Sequence, residues 1–235
     1  MPCAPDPPAG RPSWTAGVAM MGWLSVVLWL DRAGGGLGIW AQRGLGVLTW
    51  ALLVVALRRV TPTVRVQTAV VVAFATLVEL VFSPTLGVYT YRFHNVPAYV
   101  PPGHGLIYLS ALALGGSPFV RRHLRACVGA VLVVGGGWAS YGVFLAARPD
   151  ALGAFWFGCL AAFLLWGPST TVYVGAFAVV SYLELMGTGL GTWVWSTHDP
   201  TGAISIGNPP SGAAGGYGWF DLAALLAAPV LLRWG

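Results

Sequence analysis

The chain has 235 residues, of which 57% are hydrophobic and 8% are charged, and its mean hydropathy is +0.74. Because a soluble domain carries about 25% charged residues, this chain is too poor in charge for a water-facing globule, and lipid must be one of its solvents. Its 12 basic residues are all arginine, so a Schiff-base lysine and a P-loop are excluded. The arginines lie between apolar runs, which indicates membrane topology rather than nucleic-acid binding.

Eight apolar segments come close to the roughly 20 residues that a helix needs to cross the hydrocarbon core. They are Trp14–Leu30, Leu37–Leu57, Val66–Phe82, His104–Val120, Ala126–Ala147, Ala151–Trp166, Thr170–Met186 and Tyr217–Trp234. The sixth segment is short, and a count of seven spans is the alternative. Residues 1–13 are rich in proline and are predicted to be disordered. Since no segment alternates apolar and polar residues as a strand does, the predicted fold is an all-α, polytopic transmembrane helix bundle.

The arginines divide unequally between the two ends of such a bundle. With eight spans, one end receives eight of them. The other end has Arg32, Arg43, Arg92 and Arg148. The positive-inside rule places the arginine-rich end in the cytoplasm, so we expect a bacterial inner-membrane protein with both termini cytoplasmic. The two long connections, Ser83–Gly103 and Gly187–Gly216, then lie on the extracytoplasmic side, and long loops in a compact bundle are usually functional or disordered.

The two long connections repeat one order of features. Each follows a glutamate late in an apolar helix and continues with a glycine, an aromatic-x-aromatic pair, an asparagine, a Pro-Pro pair and a glycine-led helix. The members are Glu79, Gly87, Tyr89, Tyr91, Asn95, Pro101 and Pro102 in the first connection, and Glu184, Gly191, Trp193, Trp195, Asn208, Pro209 and Pro210 in the second. The alignment needs one gap, and it pairs His104 with Tyr217 and Tyr108 with Asp221.

The two glutamates lie in the third and the seventh predicted segments, which are four helices apart. An even number of crossings returns the chain to the same side, so both units point the same way. The pattern therefore predicts a parallel duplication of four plus four helices, over residues 14–125 and 126–235. Such a duplication has a two-fold axis along the membrane normal.

Three of the seven acidic residues lie within apolar segments, namely Glu79, Glu184 and Asp221. An ionised acid in hydrocarbon costs several kcal/mol, so such residues usually face a cavity or a partner. A protonated carboxylic acid in an apolar cavity is suited to general acid catalysis, and we predict these three as catalytic residues. The predicted substrate-binding residues are Tyr89, Tyr91, His104, Tyr108, Trp193, Trp195, Asn208, Tyr217 and Trp219, whose aromatic members would stabilise a cation.

The cysteines and histidines show no metal-ligand spacing, so neither a metal nor another cofactor is expected. The acids Asp31, Asp150 and Asp199 are interpreted as belonging to loops or helix ends. No acidic pair is placed to hold magnesium on a diphosphate, which disfavours diphosphate-ionising prenyl transfer.

The stretch Glu-Leu-x-Gly-Thr-x-x-Gly-x-Trp-x-Trp, from Glu184 to Trp195, resembles the integral-membrane carotenoid hydratases of the CruF type. The stretch from Glu79 to Tyr91 resembles them more loosely. The later Trp-Asp motif of that family is not evident in this chain, where Phe220-Asp221 is the nearest match. In size and acid placement the chain is similar to integral-membrane terpenoid cyclases, and in composition to multi-pass membrane proteins of high-GC actinobacteria. The resemblance implies a terpenoid or carotenoid substrate.

These observations favour an enzyme that protonates a lipophilic isoprenoid, an alkene or an epoxide, within the bilayer. Its partners would be this small molecule and membrane lipids, with no nucleic acid. A transporter built from a duplicated bundle is the first alternative, because carriers are also built this way. A structural subunit of a membrane complex, with the acids as packing hydrogen bonds, is the second.

Overall fold

The computed structural model of the chain describes residues 10–233, and within that range the chain forms nine α-helices and two short strands. The helices are α1 (Trp14–Leu30), α2 (Ile39–Leu57), α3 (Pro62–Leu80), α4 (Val100–Gly115), α5 (Pro118–Arg122), α6 (Leu124–Phe144), α7 (Ala151–Trp166), α8 (Thr170–Gly189) and α9 (Ala213–Leu231). The strands are β1 (Tyr89–Tyr91) and β2 (Trp193–Trp195), and a π-helical turn, Val81–Thr85, continues α3. Most of the predicted disordered segment, residues 1–9, and the predicted end of the last helix at Trp234 lie outside the described residues.

Five helices are long and apolar enough to cross a membrane: α2, α3 with its π-helical turn, α6, α8 and α9. Helices α1 and α7 are apolar but shorter. Large apolar side chains cover the outer surface; Trp40, Phe144 and Trp166 are each more than three-quarters exposed. Because water would solvate such a surface poorly and lipid solvates it well, the predicted helical membrane protein is confirmed at this level.

A helix lies over each of the eight predicted segments, but several boundaries differ. Helices α3 and α9 begin four residues earlier than predicted, at Pro62 and Ala213, and both ends of the fourth segment were wrong. Helix α4 begins at Val100 rather than His104, because Pro101 and Pro102 are tolerated in the first turn, where the N–H groups have no partner within the helix. The predicted end at Val120 was also wrong. The chain breaks after Gly115, and the Ser117 hydroxyl accepts a 3.3 Å bond from the Val120 N–H to begin the separate helix α5.

Helix α4 lies at the centre of the bundle, with 13 of its 16 residues buried. It packs on α1, α3 and α8, while α9 packs on α3, α7 and α8. Glycines bring the helix backbones together: a Cβ on Gly115 would lie 2.0 Å from the Thr171 carbonyl oxygen, and one on Gly215 would lie 1.8 Å from that of Trp156. Small residues serve helix association in this way in membranes, where water supplies no driving force.

Strands β1 and β2 pair antiparallel, which corrects the all-α prediction. Thr90 lies opposite Val194 at the centre of the ladder, with Tyr89 opposite Trp195 and Tyr91 opposite Trp193. Each strand has three residues, too few for alternation to be read from the sequence. The pairing joins the two long connections, so both lie at the same end of the bundle.

Candidate functional site

 Two tyrosines of β1 donate hydrogen bonds to Glu79. The Glu79 Oε2 atom accepts hydrogen bonds from the Tyr89 hydroxyl at 2.8 Å and from the Tyr91 hydroxyl at 2.9 Å. All three side chains are buried. The aromatic-x-aromatic pair of the first unit therefore binds the glutamate of the same unit.

The second unit makes the corresponding contact with different donors. The Glu184 Oε2 atom accepts hydrogen bonds from the indole N–H groups of Trp193 and Trp195, both at 3.1 Å. The Trp193 ring crosses α8 directly over Gly187, where a Cβ would lie 1.9 Å from the ring. Glycine at this position is thus what allows the indole to reach Glu184.

The strand pairing brings these two glutamate clusters together. Because side chains alternate along a strand, the four aromatic residues project from one face of the two-stranded ladder. The Tyr89 and Trp195 ring centroids are 4.5 Å apart, and those of Tyr91 and Trp193 are 6.1 Å apart. The ladder therefore forms an aromatic wall that holds both carboxyl groups next to one space.

The backbone before each strand also follows one plan, apart from a single residue. Gly87 and Gly191 both adopt the left-handed conformation, with φ of +64° and +66°, which glycine adopts without steric cost. The glutamates are 105 positions apart, whereas these glycines are 104 apart. The extra residue lies in the π-helical turn Val81–Thr85, since a π-helix is an α-helix widened by an inserted residue.

His104 completes the cluster around Glu79. Its Nε2 atom lies 2.9 Å from the second glutamate oxygen, Oε1, and its ring lies 5.2 Å from that of Tyr217 and 5.8 Å from that of Phe220. The His104 Nδ1 atom is buried and has no hydrogen-bond partner among the described residues. Both oxygens of Glu79 are thus engaged, by three side chains in total.

A cavity of about 270 Å³ lies against these groups. Its remaining wall is largely apolar and aromatic, with Trp156, Leu183 and Phe220 among the lining residues. Two lining residues, Phe74 on α3 and Trp219 on α9, are also 36% and 47% exposed on the outside of the bundle. The cavity therefore extends towards the apolar outer surface of the bundle.

A buried aspartate anchors the first long connection. Asp31 accepts hydrogen bonds from the Gln42 amide at 2.7 Å, the Tyr99 hydroxyl at 2.7 Å and the Arg92 guanidinium at 2.6 Å. Asp31 is fully buried and Arg92 nearly so. A buried ion pair needs such additional hydrogen bonds to offset the loss of water, and here they fix the loop that carries Tyr99 into the cavity wall.

Asp150 anchors the second long connection. Its carboxylate accepts backbone N–H bonds from Gly153 at 3.0 Å, Gly207 at 2.8 Å and Ser211 at 2.7 Å. The neighbouring Arg148 donates to the carbonyl oxygens of Trp195, Ser196 and Ile206. Asp31 caps the end of α1 and Asp150 caps the start of α7, which confirms their interpretation as residues of loops or helix ends. The structure adds that each of them anchors a long connection.

Nine of the twelve predicted site residues line the cavity. They are Glu79, Tyr89, Tyr91, His104, Glu184, Trp193, Trp195, Tyr217 and Trp219. The other three do not. The Asn208 Oδ1 atom accepts the Trp195 backbone N–H at 3.0 Å, the Tyr108 hydroxyl donates to Gln67 at 3.0 Å, and Asp221 is buried elsewhere in the bundle.

The sequence missed five aromatic lining residues, which are Phe74, Phe82, Tyr99, Trp156 and Phe220. Tyr99 precedes the Pro-Pro pair and was assigned to a loop, while Trp156 belongs to the apolar run of α7. The spacing of Tyr99 and Trp156 in the sequence carries no signal. Tyr99 reaches the cavity because its hydroxyl is bound by Asp31, and Trp156 reaches it because α7 packs closely on α9.

The tyrosines of β1 remain hydrogen-bond donors. Burial, and then the nearby charge of Glu79, raise the pKa of Tyr89 and Tyr91 well above the ordinary value for tyrosine. Both phenols are therefore protonated at neutral pH and donate to Glu79. In the part of the chain that the structure describes, no group of three or more His, Cys, Asp or Glu residues is placed to hold a metal ion.

Comparison with known proteins leaves the site to be interpreted on its own geometry, because no family model, curated protein or solved structure matches the chain.

Proposed function

We propose that the protein is a membrane enzyme that protonates a lipophilic isoprenoid, a polyene or an epoxide, and so initiates its cyclisation or hydration. The observation that carries this proposal is the placement of two buried carboxyl groups, Glu79 and Glu184, on one aromatic cavity. Two carboxyl groups in different surroundings can divide the acid and base roles between them.

Glu184 is suited to the role of acid. Its Oε2 atom accepts the two indole N–H groups, whereas no hydrogen bond to Oε1 is found among the described residues. An ionised carboxylate without a nearby cation is costly in such surroundings. A proton on Oε1 removes that cost and supplies the acid, which can transfer the proton to a carbon of an alkene or to an epoxide oxygen.

Glu79 is suited to the role of base. Two tyrosine hydroxyls and His104 surround it, and several donors favour the carboxylate form. In the proposed reaction the substrate π bond breaks as a new C–H bond forms with the proton of Glu184. The resulting carbocation then loses a proton to Glu79, either directly after ring closure or from a water molecule that has added to it.

The aromatic wall stabilises the positive charge that develops between these steps. Indole and phenol rings attract a cation through their negatively charged faces, an effect worth about 0.5–2 kcal/mol per ring. The rings of Tyr89, Trp195 and Tyr217 all line the cavity. An apolar wall also keeps water from quenching the cation early.

Substrate access is proposed to occur from the lipid. The cavity approaches the outer surface at Phe74 and Trp219, and that surface is apolar. A polyene dissolved in the bilayer could enter there without passing through water.

We further propose that the chain crosses the bacterial inner membrane eight times as a parallel four-plus-four duplication. Support comes from the matched contacts of Glu79 and Glu184 and from the left-handed glycines, Gly87 and Gly191. An antiparallel pair of equivalent strands also has a local two-fold axis between its members. The arginine-rich end would face the cytoplasm with both termini.

A carrier is the second candidate, because carriers are often duplicated bundles with substrate sites where the repeats meet. The matched clusters at Glu79 and Glu184 favour it. The π-helical turn at Val81–Thr85 lies next to the end that carries the strands, and Pro229 lies near the end of α9, whereas carriers commonly break helices near the bilayer midplane. This difference favours the enzyme.

The test uses purified protein in liposomes with linear isoprenoid polyenes and their terminal epoxides, assayed in deuterated water. The expected product carries one deuterium at the protonated carbon of a polyene. Glu184→Gln and Glu79→Gln should each lower turnover about 10²-fold or more, as removal of a general acid or base does. Asp199→Asn, an amide substitution in an exposed turn, is the matched control and should retain activity.

Two results would overturn the enzymatic proposal. One is full turnover in both glutamine variants. The other is the absence of any product, combined with saturable uptake of a solute into the liposomes that depends on Glu79 and Glu184, which would establish the carrier. Glutamine variants that assemble and function normally within a larger complex would instead favour a structural subunit.

A further inference from the structure

A second set of buried polar groups lies inside the bundle, away from the cavity. Asp221 on α9 is 5% exposed and Tyr173 on α8 is fully buried. Among the described residues, neither the Asp221 Oδ2 atom nor the Tyr173 hydroxyl has a hydrogen-bond partner. Helix α8, which carries Tyr173, packs on both α9 and α4. The hydroxyl of Tyr108 on α4 donates to Gln67 of α3 at 3.0 Å.

Helix geometry gives the distance of these polar groups from the cavity. With a rise of about 1.5 Å per residue, Gln67 lies roughly 18 Å along α3 from Glu79, and Tyr173 lies roughly 16 Å along α8 from Glu184. Both are near the helix ends at the arginine-rich end.

Two pairs of residues bridge the interval between this set and the cavity. His104 and Tyr108 are four positions apart on α4, and so are Tyr217 and Asp221 on α9. Residues four apart lie on one helix face, about 6 Å along the axis. The rings of His104 and Tyr217 are in contact. Polar groups therefore continue from Glu79 down the centre of the bundle.

Unpartnered buried polar groups are costly, about 1–3 kcal/mol each, and in native proteins they usually mark bound water or a function. Chains of ionisable residues inside membrane bundles typically carry protons. The strand ladder lies at one end of the cavity, and its side at Phe74 and Trp219 approaches the apolar outer surface of the bundle.

We propose that Asp221, Tyr173, Tyr108 and Gln67, with water bound between them, form a proton path from the arginine-rich end to His104. Asp221 accepts a proton from the water chain and passes it towards the His104–Glu79 pair through the hydroxyl groups beside it. In the enzymatic proposal this path exchanges protons between the solvent and the carboxyl groups of the cavity. The path itself requires no particular substrate, so it is tested separately from the reaction.

The experiment measures how fast the ring N–H protons of His104 exchange with water. The protein is labelled with ¹⁵N-histidine, placed in lipid nanodiscs and observed by NMR, and the His104 signal is identified by its loss in His104→Gln. Asp221→Asn and Tyr173→Phe, which preserve side-chain shape, should each slow the exchange at least tenfold. Ser110→Ala, which changes a buried hydroxyl on α4 that contacts Gly17, should leave it within twofold.

Wild-type exchange in Asp221→Asn and Tyr173→Phe would overturn the path, because protons would then reach His104 from the cavity. Exchange in the wild type too slow to detect would overturn it as well. Failure to turn over any isoprenoid would contradict the proposed enzyme without changing these exchange rates. The two proposals can therefore fail independently.

Discussion

Gly187 lies beneath the indole ring of Trp193, and its replacement tests the geometry of the Glu184 cluster directly. In Gly187→Ala the new Cβ would lie 1.9, 2.2 and 2.3 Å from three atoms of the ring. An ordinary contact at such a position is at least 3.4 Å. The ring must therefore move by roughly 1.5 Å, or the helix must shift by a similar distance.

Such a movement breaks a specific bond. The Trp193 Nε1 atom is 3.1 Å from the Glu184 carboxyl, and a further displacement of about 1.5 Å takes it beyond hydrogen-bond distance. Overpacking costs about 1–3 kcal/mol, and the lost bond adds about 1 kcal/mol. Gly187→Ala should therefore lower the free energy of unfolding by about 2–4 kcal/mol.

Gly189→Ala is the matched control, because it lies two residues further along the same helix and its Cβ would meet no atom within 4 Å. Both variants are unfolded in mixed micelles with increasing denaturing detergent, and helix loss is followed by circular dichroism. Gly189→Ala should be as stable as the wild type or slightly more stable, since alanine favours helix over glycine. Equal stability of the two alanine variants would refute the placement of Trp193 over α8.

Two further predictions concern the loop anchor and the buried phenols. Asp150→Ala removes the acceptor of three backbone N–H groups, so it should lower the free energy of unfolding by about 2–4 kcal/mol and make the chain between β2 and α9 sensitive to protease. Asp199→Ala, in an exposed turn, should behave as the wild type. Equal protease resistance of the two variants would contradict the anchor. Burial raises the pKa of Tyr91 in the folded protein, so the stability contributed by the protonated phenol is present below its unfolded pKa of about 10 and is lost as pH rises above it. Tyr91→Phe should therefore be less stable than the wild type at pH 7, with a difference that shrinks above pH 10, and parallel pH curves in thermal unfolding would contradict this.

The helices could be predicted because their signal is local. Each predicted apolar segment contains a helix, since a run of apolar residues long enough to enter lipid must satisfy its own backbone hydrogen bonds. The boundaries of α4 depended instead on tertiary contacts: its first turn, with Pro101 and Pro102, is held by the loop anchored at Asp31. Hydropathy does not record such contacts.

The site was predictable where the two units repeat each other. The spacing of Glu79 to Tyr89 and of Glu184 to Trp193 indicated residues that the structure brings into hydrogen-bond contact. Asp221 was grouped with them because it also lies in an apolar segment. It lies one helical turn beyond Tyr217 and directly after Phe220, which both line the cavity. Its own side chain does not line the cavity, because it projects about 100° away from Phe220 around the helix.

The π-helical turn at Val81–Thr85 has a consequence for the history and the engineering of the chain. One residue corresponds to about 100° of rotation around an α-helix. If the units arose from one ancestor, a single-codon insertion would have turned the first glutamate by more than a quarter of a turn relative to its tyrosines, and the widened turn absorbs that change. A chimaera that copies the second unit's shorter segment into the first must therefore lose both the extra residue and the π-helical turn. Either change alone would rotate Glu79 away from the tyrosines of β1.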